Sequence, residues 1–86
     1  MSELTKLPNI GKALEKQLNQ VGITTYEGIK TKGSKNVWLD ILSFDSSACI
    51  NKLYALEGAI QGINKTLLQS NTKKDLKDFY LKEKRK

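Results

Sequence analysis

The sequence predicts a compact all-α domain of five or six short helices, and three observations support this fold class. Apolar residues recur at the three- and four-residue spacing of amphipathic helices along most of the 86-residue chain. Glycines and helix-capping residues divide the chain into short segments. No segment alternates apolar and polar residues for long enough to form a convincing strand. A chain of this length fits one domain with a small core.

Composition argues against catalysis. The chain has no histidine and a single cysteine, Cys49, so zinc and haem sites and histidine-based acid–base chemistry are effectively excluded. Cys49 is interpreted as a small buried residue on an apolar helical face rather than as a reactive thiol. We therefore expect a protein that is not an enzyme and has no catalytic residues, no metal and no cofactor.

The sequence shows no membrane or export signal. No apolar run approaches the roughly 18–20 residues that span a bilayer, and residues 1–6 lack the basic-then-apolar order of a signal peptide. We therefore expect a cytoplasmic protein without a membrane partner.

A turn is predicted before the first helix. Leu4 and Leu7 form a lead-in turn or stub helix, and Pro8 restricts the backbone that follows them. Either Asn9 or Gly11 is expected to take positive φ, because these residue types tolerate it best.

The first helix is predicted over about residues 11–20. Its apolar face has i, i+4, i+7 spacing and consists of Leu14, Leu18 and Val21. Gly22 is expected to end this helix with positive φ, and Ile23 to pack back on the last turn.

Two short helices are expected next. Thr24 and Glu27 match a capping box that begins a helix running to about residue 31. Gly33 ends this helix, and Ser34 is expected to cap a third helix over about residues 35–43. The apolar stripe of the third helix is Val37, Trp38, Ile41 and Leu42.

The longest helix is predicted over about residues 46–63, starting at Asp45, Ser46 and Ser47. Its apolar seam is Cys49, Leu53, Leu56, Ile60 and Ile63. We expect this helix to be central, with Leu56 and Ile60 nearly fully buried.

Small residues form a second stripe on the same helix. This stripe consists of Ala55, Gly58, Ala59 and Gly62. Glycine inside a helix costs about 1 kcal/mol relative to alanine, so we expect a neighbouring helix to approach Gly58 closely. The helix that carries Trp38 is the first candidate, and a docked protein partner is the alternative.

The last helix is expected to begin at a capping box formed by Thr72 and Asp75. Leu76, Phe79 and Tyr80 form its apolar patch. Residues 1–80 are predicted to form the single domain, and residues 81–86 a basic, frayed tail.

The glycine turns at residues 7–11 and 21–23 resemble the second half of a helix-hairpin-helix unit. A helix that begins at Gly11 presents unpaired N–H groups and the positive end of its dipole, which suit phosphate oxygens. The candidate nucleic-acid-binding residues are Asn9, Ile10, Gly11, Lys12 and Lys16. The alternative is that these residues form only a tight connection and that the lysines are solvated.

Charge is unevenly distributed along the chain, whose net charge is +6. Residues 1–36 carry +3 (six lysines, three glutamates), residues 37–63 carry −2 (one lysine, three acids), and residues 64–86 carry +5 (eight bases, three acids). This pattern fits solvated flanks around a buried central helix, and it also fits a polyanionic partner.

A specific family resemblance joins these features. The turns at residues 7–11 and 21–23, together with the block from Leu53 to Ile63, resemble the C-terminal domain of the TfoX/Sxy proteins over roughly residues 4–80. The resemblance implies a helix-hairpin-helix-related, SAM-like domain and a link to competence regulation, here as a standalone domain.

The resemblance and the candidate residues lead to two functional hypotheses. The first is weak, sequence-independent binding of duplex DNA as an accessory to transcription or competence regulation. The alternative is a protein-interaction module or homodimerising adaptor that does not bind nucleic acid. The sequence leaves the oligomeric state open.

Overall fold

The computed structural model describes residues 4–85 and contains five α-helices within them. These helices are α1 (Lys12–Gln20), α2 (Tyr26–Lys32), α3 (Ser34–Leu42), α4 (Ile50–Gln61) and α5 (Ser70–Lys84). A 3-10 turn, Leu4–Lys6, precedes α1, and a second one, Lys65–Leu67, connects α4 to α5. No strand occurs in residues 4–85, so the all-α prediction is confirmed.

Helix α4 lies at the centre of the fold and packs against α2, α3 and α5. Its Leu53 and Leu56 are fully buried, as is Trp38 of α3. The Phe79 and Tyr80 rings of α5 pack on the Trp38 ring, with centroid distances of 6.0 and 5.6 Å. The contacts of α4 with three other helices confirm its predicted central position. Aromatic side chains connect α3 to α5.

The end of α1 follows the prediction. Gly22 has a φ of +84°, and its N–H donates to the Asn19 carbonyl at 3.0 Å. The Ile23 N–H donates to the Leu18 carbonyl at 2.9 Å, and the Ile23 side chain is buried. This is a Schellman motif, in which a left-handed glycine lets the chain satisfy the last helical carbonyls.

Helix α2 begins one residue later than expected. Thr25, rather than Thr24, is the N-cap, and its hydroxyl accepts the Gly28 N–H at 3.1 Å. The predicted pairing of Thr24 with Glu27 as a capping box is therefore wrong. In the observed register, Ile29 is fully buried and the Tyr26 hydroxyl donates to the carbonyl of Ile60 at 2.8 Å, so tertiary contacts select between two adjacent threonines.

Ser34 is the first residue of α3 and not its cap. Gly33 occupies the N-cap position with a φ of +87°. The Ser34 hydroxyl is buried and donates to the Glu57 carboxylate at 2.7 Å. The expected cap is wrong because this hydroxyl satisfies a carboxylate on α4 instead of the first-turn N–H groups of its own helix.

Helix α4 begins at Ile50, about four residues later than predicted, because Asp45 forms a local turn. The Asp45 carboxylate accepts from the Ser47 N–H at 3.1 Å and from the Ser47 hydroxyl at 2.5 Å. Such local bonds compete with helix formation. Cys49 is the N-cap and is exposed, so its predicted burial is wrong.

The C-terminal half of α4 also differs from the prediction. Ile60 and Ile63 are half-buried, whereas the sequence predicted that Ile60 would be nearly fully buried. Gly62 is not inside the helix but ends it, with a left-handed φ of +76°. With α4 shortened to 12 residues, α5 is the longest of the helices in residues 4–85, at 15 residues.

Helix α5 begins at Ser70, so the predicted capping box of Thr72 and Asp75 does not form. The helix runs through Lys84, and residues 81–84 are therefore helical rather than frayed. The Lys84 ammonium donates to the Ser46 carbonyl at 2.7 Å. This contact ties the end of α5 to the connection between α3 and α4.

A polar network joins α1, the connection between α3 and α4, and α4. The Asp45 carboxylate accepts from the Gln17 amide at 2.9 Å and lies 3.3 Å from the Lys52 ammonium, which also donates to Gln17 at 2.6 Å. Hydrogen bonds from Ser47, and then from Gln17 and Lys52, hold the pKa of Asp45 well below its usual value. The network therefore favours the ionised carboxylate in the folded state.

Replacing Leu56 by alanine should destabilise the domain by about 2–5 kcal/mol, because Leu56 is fully buried in the central helix and its removal leaves a cavity. Thermal or urea unfolding followed by circular dichroism measures this. Ile60→Ala is the matched control on the same helix and should cost less, because Ile60 is half-buried. Equal losses from the two variants would contradict the observed packing.

Asp45→Asn should reduce the loss of stability that the folded protein shows as pH falls into the acid range. The folded pKa of Asp45 lies below the value of about 3.9 expected when unfolded, so its contribution is present above about pH 4 and is lost as pH falls below it. Melting curves between neutral and acid pH should show the variant less stable near neutrality and converging on the wild type in acid. Asp75→Asn, at a mostly exposed carboxylate, serves as control, and identical pH profiles for all three proteins would refute the assignment.

Candidate nucleic-acid interface

The residues predicted to bind nucleic acid begin in the turn at residues 7–11, called here the Asn9 turn. The Leu7 N–H donates to the Leu4 carbonyl at 3.0 Å, and the Ile10 N–H to the Leu7 carbonyl at 3.5 Å. Asn9 takes the positive φ that the sequence placed at either Asn9 or Gly11, with a value of +70°. Ile10 is buried and anchors the turn to the core.

The Asn9 side chain is directed into the protein. Its amide nitrogen donates to the Ile63 carbonyl at 2.9 Å and to the Ala55 carbonyl at 3.4 Å, and its oxygen accepts the Lys65 N–H at 3.0 Å. Ile63 follows the glycine that ends α4, so its carbonyl lies beyond the helix and needs a partner outside it. Asn9 therefore acts as a bridge between the start of α1 and the end of α4.

Gly58 provides the space for this bridge. A Cβ atom on Gly58 would lie 2.5 Å from the Asn9 amide nitrogen and 2.8 Å from the Ile63 carbonyl oxygen. The sequence predicted that a neighbouring helix approaches Gly58. That expectation is wrong, because the groups nearest to Gly58 do not belong to a neighbouring helix. They belong to the Asn9 turn and to the chain after α4, which includes the Lys65 Cα at 3.3 Å.

The remaining three candidate residues face solvent. Gly11, Lys12 and Lys16 are all exposed, and Lys12 and Lys16 lie one turn apart on α1. Neither lysine forms a salt bridge with a residue in the range 4–85. The structure thus separates the five candidates into two inward anchors, Asn9 and Ile10, and three outward groups.

The start of α1 lacks a side-chain cap. Gly11 is the N-cap residue, with φ of −94° and ψ of −177°, and supplies no side-chain acceptor to the N–H groups of the first turn. A Cβ atom on Gly11 would meet nothing within 4 Å. Since this conformation suits any residue, neither backbone geometry nor packing within the domain requires a glycine here.

The sequence did not point to the chain segment beside Asn9. Residues 64–67, called here the Lys65 turn, contact Asn9 through the Lys65 N–H. Asn64 shapes this turn by accepting hydrogen bonds from the N–H and hydroxyl of Thr66, both at 2.9 Å. The sequence feature that could have drawn attention to this segment is the absence of acidic residues between Glu57 and Asp75.

The carboxylate beside the main surface groove is hydrogen-bonded within the fold. An open groove of about 570 Å³ lies between α3, α4 and the start of α5, and Ser34 and Glu57 line it. The Glu57 carboxylate accepts hydrogen bonds from the Ser34 hydroxyl and the Gln61 amide, both at 2.7 Å. Residues 4–85 contain no group of three or more histidine, cysteine, aspartate or glutamate side chains that could hold a metal ion. None of the helices described is long and apolar enough to cross a membrane.

Comparison with known proteins identifies the family. A family model described as the TfoX C-terminal domain matches residues 1–80. This chain belongs to the TfoX C-terminal domain family. Protein Sxy of Escherichia coli strain K12 is 33% identical over 76 residues, which cover 88% of this chain and 36% of Sxy. The chain thus spans about a third of the length of Sxy.

Two crystal structures from Listeria monocytogenes share the TfoX C-terminal fold described here. An uncharacterized protein in a triclinic form is 48% identical, with a TM-score of 0.92, and the match covers 93% of this chain and 91% of that one. A protein of unknown function in a tetragonal form is 47% identical with the same TM-score, and the match covers 94% and 99%.

Asn9→Ala should destabilise the domain by about 2–3 kcal/mol, because it removes the bonds to Ile63 and Lys65 and places alanine at positive φ. Asn9→Gly removes the same bonds without the backbone strain and should cost about 1 kcal/mol less. Chemical denaturation measures both variants. Equal stability of the wild type and Asn9→Gly would show that the side-chain bridge contributes nothing.

Proposed function

We propose that this chain is a non-enzymatic domain that binds the backbone of duplex DNA weakly and without sequence preference. The contact lies at the start of α1 and combines main-chain N–H groups with the Lys12 and Lys16 ammonium groups. Membership of the TfoX C-terminal family and similarity to Sxy support a role in competence-related regulation, with DNA contact as an accessory to transcription. A DNA partner agrees with the cytoplasmic location expected from the sequence.

The observation that carries this proposal is the open glycine at the start of α1. The domain itself places no demand on Gly11, since its φ is ordinary and nothing lies near its missing side chain. A ligand that approaches from outside does demand a small residue, because a side chain at the N-cap would lie between a phosphate and the first-turn N–H groups. The open glycine therefore favours an external ligand over a purely structural connection.

Charge and rigidity support the same function. Lys12 and Lys16 stand on one edge of α1, and the Asn9 bridge fixes the backbone that leads into the helix. Glu15 lies between them in sequence and is half-buried, so it reduces the positive potential of this edge. Contacts of this kind position a protein on DNA but do not distinguish base pairs, which fits weak and general binding.

A second candidate function is protein interaction, and one observation favours it. Three large apolar side chains are exposed in residues 4–85: Phe44, Leu67 and Leu81. The Lys84–Ser46 hydrogen bond holds the end of α5, near Leu81, against the loop that follows Phe44. A second copy of the chain or another protein would bury such groups, whereas a DNA backbone contact would leave them in solvent.

Wild-type protein should bind a short duplex with Kd of about 10⁻⁴–10⁻⁶ M at physiological salt, and binding should weaken as salt rises. Lys12→Glu combined with Lys16→Glu should abolish binding while leaving the melting temperature close to that of the wild type, because both side chains are exposed. Fluorescence anisotropy at several salt concentrations measures affinity. NMR should place the DNA-induced amide shifts at residues 9–16.

Lys30→Glu combined with Lys82→Glu is the charge-matched control and should retain binding. Loss of binding in this control, with shifts confined to residues 73–86, would assign the contact to the basic C-terminal region instead. Concentration-dependent shifts around Phe44 and Leu81 without any response to DNA would favour protein interaction.

A second pair of variants tests Gly11 directly. Gly11→Asp should raise stability by a few tenths of a kcal/mol, since aspartate is a better N-cap than glycine, yet it should prevent DNA binding by placing a carboxylate where the phosphate would lie. Gly11→Asn caps without the charge and should bind more weakly than the wild type but better than Gly11→Asp. Undiminished binding by Gly11→Asp would overturn the proposed contact.

A further inference from the structure

We infer that the DNA contact extends from the Asn9 turn onto the Lys65 turn, so that Lys65 and Lys73 bind phosphate groups of the same duplex. This inference rests on the proposed function and enlarges its site. It joins two parts of the chain that are more than 50 residues apart in sequence.

The two turns are held together by hydrogen bonds rather than by chance proximity. Asn9 binds the chain on both sides of Asn64, through the Ile63 carbonyl at 2.9 Å and the Lys65 N–H at 3.0 Å. Gly58 lies beneath this junction and leaves it no free space, because its missing Cβ would fall within 3.3 Å of all three contacting groups. A duplex seated on the Asn9 turn therefore meets a Lys65 turn in a fixed position.

The Asn9 turn and the Lys65 turn each lie within a stretch of chain whose charged residues are all lysines. Residues 4–14 contain two lysines and no acidic residue, and residues 58–74 contain three lysines and no acidic residue. These lysines are Lys6, Lys12, Lys65, Lys73 and Lys74. The Asn9–Lys65 contact thus joins two acid-free segments, although neither segment is strongly basic by itself and Glu15 follows the first one.

The two lysines that the extension adds are not neutralised by an acidic side chain in the part of the chain that the structure describes. Three other lysines form salt bridges with acidic residues, in the pairs Lys32–Asp40, Lys35–Asp75 and Lys52–Asp45. Lys65 and Lys73 form no salt bridge within residues 4–85. The Lys73 ammonium lies instead 3.5 Å from the Thr66 carbonyl oxygen, which places its charge beside the Lys65 turn.

Anisotropy titrations of the whole chain with a short duplex, repeated across a salt series, test this extension. Each phosphate contact contributes a slope of about 0.9 to log K against log salt. Lys65→Gln should therefore lower the slope by about 0.9 and weaken binding about five- to tenfold at about 0.1 M salt. The Lys65→Gln, Lys73→Gln double variant should lower the slope by about twice as much.

Lys30→Gln is the matched control, because Lys30 is exposed on α2 with its ammonium 5.9 Å from the Tyr26 ring centre. It removes the same charge and should leave the slope unchanged. NMR titration should add amide shifts at residues 64–67 to those at residues 9–16, and circular dichroism should show that every variant melts as the wild type does.

The outcomes separate this inference from the proposed function. A wild-type protein that fails to bind DNA even at low salt overturns both. A wild-type protein that binds, with Lys12 and Lys16 required but with Lys65→Gln and the double variant indistinguishable from Lys30→Gln, overturns the extension alone.

Discussion

The contact between Asn9 and Gly58 organises the side of the domain that carries the candidate interface. A glycine within a helix costs about 1 kcal/mol relative to alanine, so its presence in the central helix needs compensation. The space above Gly58 admits the Asn9 amide, which then makes three hydrogen bonds to main-chain groups of the chain around α4. At about 1 kcal/mol for each intramolecular bond, these contacts exceed the cost of the glycine.

The same contact explains why Asn9 occupies the position of positive φ. Glycine would adopt this conformation with less strain, but it has no side-chain amide with which to bind Ile63 and Lys65. Asparagine tolerates left-handed backbone better than other residues with side chains. The turn is therefore specified by two requirements at once, and the backbone that enters α1 is held rigidly as a result.

Features that depend on local chemistry were predictable from the sequence. The left-handed glycine after α1, the buried Leu53 and Leu56, and the aromatic patch of α5 all follow from residue type and helical spacing. These features need no knowledge of distant residues, because a glycine at positive φ and an apolar stripe have few alternative uses.

Helix starts were less predictable, because several hydroxyl and carboxylate side chains have more than one possible partner. Ser34 was expected to cap α3, but its hydroxyl binds Glu57. Asp45 was expected to begin a helix, but it accepts hydrogen bonds from Ser47 and Gln17 and is paired with Lys52. In both cases a tertiary partner competes with the local cap, and sequence spacing does not reveal such a partner.

The candidate site shows the same division between local and long-range information. The exposed start of α1 and its lysines could be placed from sequence, because they depend on one turn and one helix. The inward direction of Asn9 could not, because its partners lie 46 to 56 residues away. The Asn9 side chain, a candidate for binding nucleic acid, instead bonds to main-chain groups and fixes the backbone that leads into Gly11.

This arrangement limits what the domain can contribute to regulation under the proposed function. A fixed turn and a small number of lysines can hold a phosphate backbone, but backbone contacts supply position rather than base discrimination. Under the proposed function, selection of a DNA target must then come from a second protein that reads base sequence. A weak and rigid contact with the DNA backbone suits such an arrangement. Linking this domain to a protein that selects the DNA target raises the effective concentration of each at the DNA without a new interface.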